Sequence, residues 1–178
     1  ARLRCPRRLR APVALLRRAG LAVAAAFGRR APVAVVPLVH VIDGDSLTAR
    51  QDGRALTIRL VGIDAVEYRQ DCERADGTRW PCGVEARAAL ERLAGRGPLH
   101  CTLEGADRYR RTLAACRTAP GPAGSDLGAA LVRQGWAIAT DDRYFVEEAE
   151  ARAKRRGIWQ GHFVRPADWR GAHQRPKE

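Results

Sequence analysis

The sequence predicts an α+β domain, a small antiparallel β-barrel of five strands with three helices packed on it. Short segments of two-residue alternation mostly precede the segments with helical spacing, and Asp52-Gly53 between two of them is a hairpin turn signal. Val39 and Val41, then Leu47 and Ala49, alternate with polar or smaller neighbours. Leu56, Ile58 and Leu60 share one face of the answering strand, and Thr57, Arg59 and Val61 share the other. Glu67 to Gly83 has no periodicity, contains Asp76-Gly77 and Trp80-Pro81, and reads as a long loop.

Ala86, Ala89, Leu90, Leu93 and Ala94 form the apolar stripe of a helix from Gly83 to Gly95. Leu99, Cys101 and Leu103 make a strand that Thr112 to Arg117 answers across a turn at Arg108-Tyr109. Ser125 reads as the N-cap of a second helix, with Leu127, Ala130 and Leu131 inward. A third helix starts near Asp141-Asp142, places Phe145, Ala149 and Ala153 on one face, and ends at Gly157. Trp159, Phe163 and Trp169 then pack back on the body.

The 178 residues carry a formal net charge of +12, but unevenly. Residues 1–42 hold nine arginines and no acid, which leaves 23 basic against 20 acidic side chains from Asp43 onward. The basic excess therefore belongs mostly to the start of the chain and is by itself a poor sign of nucleic-acid binding. An apolar content of 46% excludes wholesale disorder, and no run of 18 apolar residues provides an ordinary membrane-spanning helix.

Residues 1–33 read as a basic targeting leader, 34–170 as the folded domain and 171–178 as a polar tail. Within the leader, arginines precede the short apolar run Ala19–Phe27, which ends in small residues where a signal peptidase could cut. That pattern places the protein outside the cytoplasm, secreted or periplasmic. A twin-arginine signal, an organelle transit peptide and a basic tail remain open, as does an uncleaved leader that tethers the domain to an anionic membrane.

Beyond Cys5 in the leader, the cysteines number four: Cys72, Cys82, Cys101 and Cys116. An even count suits an oxidising compartment. Of the three possible connectivities the favoured one joins Cys72 to Cys82 and Cys101 to Cys116, because the second pair lies symmetrically about the Arg108-Tyr109 turn. The absence of any C-x-x-C argues against a four-cysteine zinc site, and the plainer alternative is four buried thiols.

Taken singly, the candidate chemical residues are bland. Asp43-Gly44-Asp45 is by default a turn, Arg59 a solvated strand residue, Asp64 and Glu67 loop acids, and Asp107 to Arg111 a charged hairpin tip. Their order is informative. Val41-Ile42-Asp43-Gly44-Asp45-Ser46-Leu47, then Ile58 to Glu67, Cys82 to Ala86, Asp107 to Arg111, Leu131 to Ala137 and Gly157-Ile158-Trp159 together resemble the thermonuclease (staphylococcal-nuclease-like) family over residues 39–170.

The resemblance implies an OB-type five-stranded barrel with three helices that cuts phosphodiester bonds in DNA and RNA with calcium. It assigns Asp45 and Asp64 as calcium-binding carboxylates, Ala65 as a backbone-carbonyl ligand, and Asp43 as an acid beyond the direct ligands. Glu67 matches the general base or water-orienting residue, Arg59 and Arg111 the two phosphate-binding arginines, and Tyr109 a substrate-contacting tyrosine. Hard oxygen donors suit Ca²⁺, and two guanidiniums suit a phosphoryl group that gains charge under attack.

The chain departs from the family pattern in three places: Val66 stands where proline is usual, Arg110 where glycine is usual, and Ser46 where threonine is common. No residue clearly matches the family's further stacking tyrosines; Tyr144 is a candidate by proximity, with packing as the plainer role.

The expected protein is thus an exported, monomeric, calcium-dependent and sugar-non-specific endonuclease, preferring single-stranded DNA or RNA and needing no protein partner. The alternative is an OB-type single-strand-binding module that has lost catalysis. The joint presence of Asp45, Asp64, Glu67, Arg59 and Arg111 favours the enzyme.

Overall fold

The computed structural model describes residues 31–173; the leader with Cys5, and the tail beyond His173, lie outside the described residues. Strands β1 (Val33–Val41), β2 (Ser46–Gln51) and β3 (Arg54–Leu60) form a meander. The β2–β3 turn uses Asp52 and Gly53, both at positive φ, 49° and 77°, as a two-residue hairpin with right-handed strand twist requires. A short strand β4 (Ile63–Ala65) leads into the long loop, which contains β5 (Cys72–Arg74) and β6 (Arg79–Trp80). Helix α1 (Cys82–Ala94) follows, then β7 (Pro98–Ala106) and β8 (Thr112–Arg117). The second half holds α2 (Leu127–Arg133), β9 (Ala137–Ala139), α3 (Phe145–Ala153), β10 (Gly161–His162) and α4 (Pro166–His173).

Five strands close into a barrel in the order β1-β2-β3-β8-β7. The expectation of a wholly antiparallel barrel is corrected at one seam: β3 pairs with β8 in parallel, Ile58 opposite Thr112 and Leu60 opposite Ala114. Hairpin signals report only sequential neighbours, whereas a parallel pair needs a long crossover, supplied here by everything between Val61 and Arg111. The helix count is also corrected, because α4 adds a fourth helix to the three expected. Proline at its first position, where a missing N–H costs nothing, is the local cue for its start.

Leu47, Ile58, Leu60 and Leu99 fill the barrel with no more than 2% exposure, and Leu90, Leu127 and Leu131 from α1 and α2 plug it. The predicted α1 stripe is the face that is buried. Val39, however, is half exposed. The β1–β2 register shifts between Leu38 and His40, and this bulge turns Val36 and Val41 inward on either side of it.

α2 is capped by Asp126, whose side chain accepts from the Ala129 N–H, rather than by Ser125. The face expected for α3 is likewise replaced: Phe145 is exposed, and the helix docks through Ala151 and through Glu148, which accepts a hydrogen bond from the Ala139 N–H on β9. A carboxylate satisfies that strand N–H where an apolar side chain could not. Tyr144, just before α3, is buried, and its hydroxyl donates to Asp126 3.1 Å away. Its ring lies 2.8 Å from where a Cβ on Gly128 would stand, so Tyr144 is a packing residue.

Cys72 and Cys82 are joined in one disulfide, Cys101 and Cys116 in another. The second ties directly opposed residues of β7 and β8 inside the barrel. The first ties the long loop to the start of α1. Around it Val66, Trp80, Ala86, Ile138 and Ile158 form a second apolar cluster, against which Trp159 and Phe163 pack. Val66 is 1% exposed there, so packing supports the backbone at the position where the family's proline is missing.

Candidate active site

Three adjacent segments deliver the acids. The turn between β1 and β2 carries Asp43 and Asp45, β4 carries Asp64 and Ala65, and the start of the long loop carries Glu67. Asp43 Oδ1 accepts from the Asp45 N–H at 3.1 Å and so shapes the turn. Gly44 is needed for close approach, since a Cβ there would stand 2.7 Å from that of Ala65 and 3.0 Å from that of Ala86. Asp45 is 1% exposed; its Oδ2 accepts from the Ala65 N–H at 2.8 Å and its Oδ1 from the Ser46 hydroxyl at 3.0 Å.

Alternation along β3 aims Arg59 out of the barrel and between the two buried aspartates. Its Nη1 donates to Asp45 Oδ1 and its Nη2 to Asp64 Oδ1 at 2.7 Å. Burial pushes the Asp45 carboxyl up, against the pull of Arg59 and with Asp43 adding to the rise. Burial opposes the Arg59 charge too, but Asp45 and Asp64 outweigh it and hold the guanidinium protonated. The pair is therefore sustained by mutual neutralisation in a dry place.

Glu67 is positioned by its backbone. Its N–H donates to Oε1 of the fully buried Gln70 at 3.2 Å. Its carbonyl lies so close to α1 that a Cβ on Gly83 would overlap it. Gln70 Nε2 donates in turn to the Val164 carbonyl at 2.6 Å, just ahead of α4. From α4 comes Arg170, whose Nη1 donates to Glu67 Oε1 at 2.7 Å and to Asp64 Oδ1 at 3.0 Å, while Nη2 donates to Asp64 Oδ2 at 3.0 Å. Donating hydrogen bonds to Asp64 and Glu67 raises the Arg170 pKa further above its ordinary value. Sequence reasoning missed both Gln70 and Arg170; Gln70's tie to Val164 and Arg170's ties to Asp64 and Glu67 span about a hundred residues, and no local periodicity marks either residue.

The opposite wall is the β7–β8 turn. Asp107 accepts from the backbone N–H groups of Tyr109 and Arg111 and from Arg111 Nε, each within 2.9 Å. It is held below the ordinary carboxylate range: burial opposes this, but the Arg111 and Tyr109 hydrogen bonds prevail. Arg110 occupies the left-handed region at φ 65°. That conformation costs a non-glycine residue about 1 kcal/mol, yet Arg111 keeps its place and Arg110 stays exposed. Arg110→Gly is expected to raise stability by less than about 1 kcal/mol, because glycine's own entropic cost offsets part of the relief; urea unfolding midpoints of the two proteins check this. Tyr109 is exposed, with the Arg108 and Arg111 guanidiniums 4.8 and 5.6 Å from its ring centroid.

One cleft of about 400 Å³ is lined by Asp43, Arg59, Glu67, Arg108, Tyr109, Arg111 and Arg170. Asp45, Asp64 and Ala65 form the buried floor behind Arg59. Arg111 faces the same cleft but bonds Asp107 rather than the acids of the floor. Among the described residues no three His, Cys, Asp or Glu side chains group as a metal cage. What the floor does offer is two carboxylates brought within reach of one guanidinium, an all-oxygen set that fits a hard cation which keeps some of its own water.

The Staphylococcal nuclease homologue family model matches residues 57–161, more than half of the chain. The chain is 34% identical over 146 residues to Protein ParB of Escherichia coli, spanning 75% of this chain and 77% of that protein. It is 32% identical over 149 residues to a Micrococcal nuclease of Shigella flexneri, with 76% and 79% spanned. It is also 32% identical over 139 residues to an Uncharacterized endonuclease of Escherichia coli O157:H7, with 75% and 82% spanned. The match takes in Arg59, Asp64, Glu67, Tyr109 and Arg111, the residues that the barrel gathers around one cleft. By matched length, barrel architecture and relatives alike, the chain belongs to the staphylococcal nuclease homologue family.

Proposed function

We propose that the protein is a calcium-dependent, sugar-non-specific endonuclease that hydrolyses DNA and RNA, favouring single strands. That it is a phosphodiester-hydrolysing nuclease follows from its family and from relatives named as nucleases. The single observation that carries the finer reading is the cleft in which Glu67, Arg59 and Arg111 converge above the Asp45–Asp64 floor.

A phosphodiester bound there meets Arg59 on one side and Arg111 on the other. In the free protein both guanidiniums are neutralised by carboxylates, so phosphate binding is an exchange of anionic partners rather than the filling of a bare cationic hole. Glu67 accepts a proton from the attacking water as its oxygen bonds to phosphorus. The bond from phosphorus to one ester oxygen breaks, that oxygen leaves as an alcohol with a proton taken from solvent, and the arginines meet the charge that develops on the equatorial oxygens. Tyr109, exposed at the rim, offers a stacking face that any base can use, which suits single strands and little sequence preference. Asp45, Asp64 and the Ala65 carbonyl would hold calcium, with Asp43 shaping the turn behind them; when bound, calcium supplies further neutralisation of the phosphoryl charge.

Two disulfides fit an oxidising compartment, and no described helix is long and apolar enough to cross a membrane. Secreted or periplasmic residence, delivered by the leader and with the protein acting as a monomer, is part of this reading. Cleavage of single-stranded DNA with calcium, lost on addition of a chelator and restored by excess calcium, is the expected result. Tight binding to single strands without cutting in calcium would instead identify a non-catalytic binding module.

A further inference from the structure

We propose that Arg170 is a positioning residue of the site, one guanidinium that spaces Glu67 from Asp64 and yields Asp64 when calcium enters. The inference rests on the nuclease reading above and concerns a residue beyond the family match, which ends at residue 161.

The contacts carry it. A single nitrogen, Nη1, bonds both Glu67 Oε1 and Asp64 Oδ1, so the separation of the proton acceptor from the floor carboxylate is set through one atom. Nη2 takes the second Asp64 oxygen, and Arg59 shares the first. Asp64 thus has both oxygens engaged by cations before any metal arrives, and a cation that takes it must displace at least part of this pairing.

Arg170 is brought there by the fastening of the C-terminal segment to the long loop. β10 pairs with β5, Gln70 reaches from beneath Glu67 to the Val164 carbonyl, and α4 then starts at Pro166. The same Gln70 side chain holds the Glu67 N–H. The C-terminal segment and the base-bearing loop are therefore fastened to each other twice, once beneath Glu67 and once across its carboxylate. Arg170 is 38% exposed and lines the cleft, so its guanidinium has room to move off Asp64 while keeping Glu67.

The test compares full-chain wild type, Arg170→Ala and Arg170→Lys. Calcium binding is read by titration calorimetry without nucleic acid, and kcat and KM on a single-stranded oligonucleotide. With a competitor for Asp64 removed, Arg170→Ala is expected to bind calcium about fivefold tighter, as a half-exposed ion pair allows. Its kcat is expected to fall about 10- to 100-fold with KM changed less than about threefold, because Glu67 is no longer spaced for attack. Arg170→Lys, a point charge without the fork, is expected to fall between the two.

Tighter calcium binding together with slower turnover is a pair of effects that a merely structural role does not produce. Weaker or unchanged calcium binding, or an unchanged kcat, overturns the proposal; if Arg170→Ala does not fold, wild-type behaviour of Arg170→Lys overturns it. A wild type that neither binds calcium nor cuts overturns the nuclease reading itself, whereas a wild type that cuts and is matched by both variants overturns only this one.

Discussion

Arg59→Ala is expected to lose both activity and a large part of the protein's stability. The side chain is the only described cation bonded to Asp45, which is 1% exposed and has the Asp43 carboxylate beside it. Removing one partner of a buried pair leaves an uncompensated charge unless Asp45 takes up a proton, at a cost of up to about 3–5 kcal/mol. A domain of this size has only about 5–15 kcal/mol to lose. Asp45 and Asp64 would also repel each other once the guanidinium between them is gone. Turnover is expected to fall about 10²- to 10³-fold through loss of a group that meets the transition-state charge. Arg59→Lys separates the two effects: the ammonium keeps a charge near Asp45 but cannot bridge to Asp64. It is expected to recover most of the stability and little of the turnover. Chemical denaturation beside kcat on single-stranded DNA checks both, and an Arg59→Ala protein as stable as wild type would mean that Asp45 does not depend on Arg59 in its buried place.

Glu67→Gln should do the opposite: nearly all of the loss should appear in turnover. Glutamine keeps the shape, and the Gln70 hydrogen bond is to the backbone N–H, which the substitution does not touch. Only the carboxylate's ability to take a proton from water, and the charge it shares with Arg170, are removed. The expected fall in kcat is about 10²- to 10⁴-fold, the range for loss of a general base. The expected change in melting temperature is within about 3 °C, since a partly exposed ion pair contributes little. Retained kcat would exclude Glu67 as the proton acceptor; lost kcat with a large fall in melting temperature would make it a structural residue.

Two of the three departures from the family pattern turn out differently in three dimensions. Val66 replaces a rigid ring by burial in the cluster around Trp80 and Ile158, so the backbone ahead of Glu67 is held by packing. Arg110 adopts the left-handed conformation that glycine takes freely, and the Asp107 carboxylate keeps Arg111 in line all the same.

Much was legible locally. The inward set Leu56, Ile58 and Leu60 and the outward Arg59 follow from the two-residue period of a strand, and the α1 stripe from the helical period. Asp43, Asp45, Asp64, Glu67, Tyr109 and Arg111 are singled out through the resemblance to the nuclease family, since each alone reads as an ordinary turn or loop residue. The face of α3 was not legible: its docking depends on the Ala139 N–H of β9 donating to the Glu148 carboxylate, which no count of apolar residues reveals.

What the sequence by itself determined is most of the barrel's inner face and the hairpins. Periodicity and turn chemistry act over a few residues and are written there. Tertiary structure alone decided the parallel closure of β3 on β8, the bulge that turns Val39 outward, and the arrival of Gln70 and Arg170 at the site. Those features are contacts between segments up to 106 residues apart, and only the packed chain brings such segments within hydrogen-bond distance.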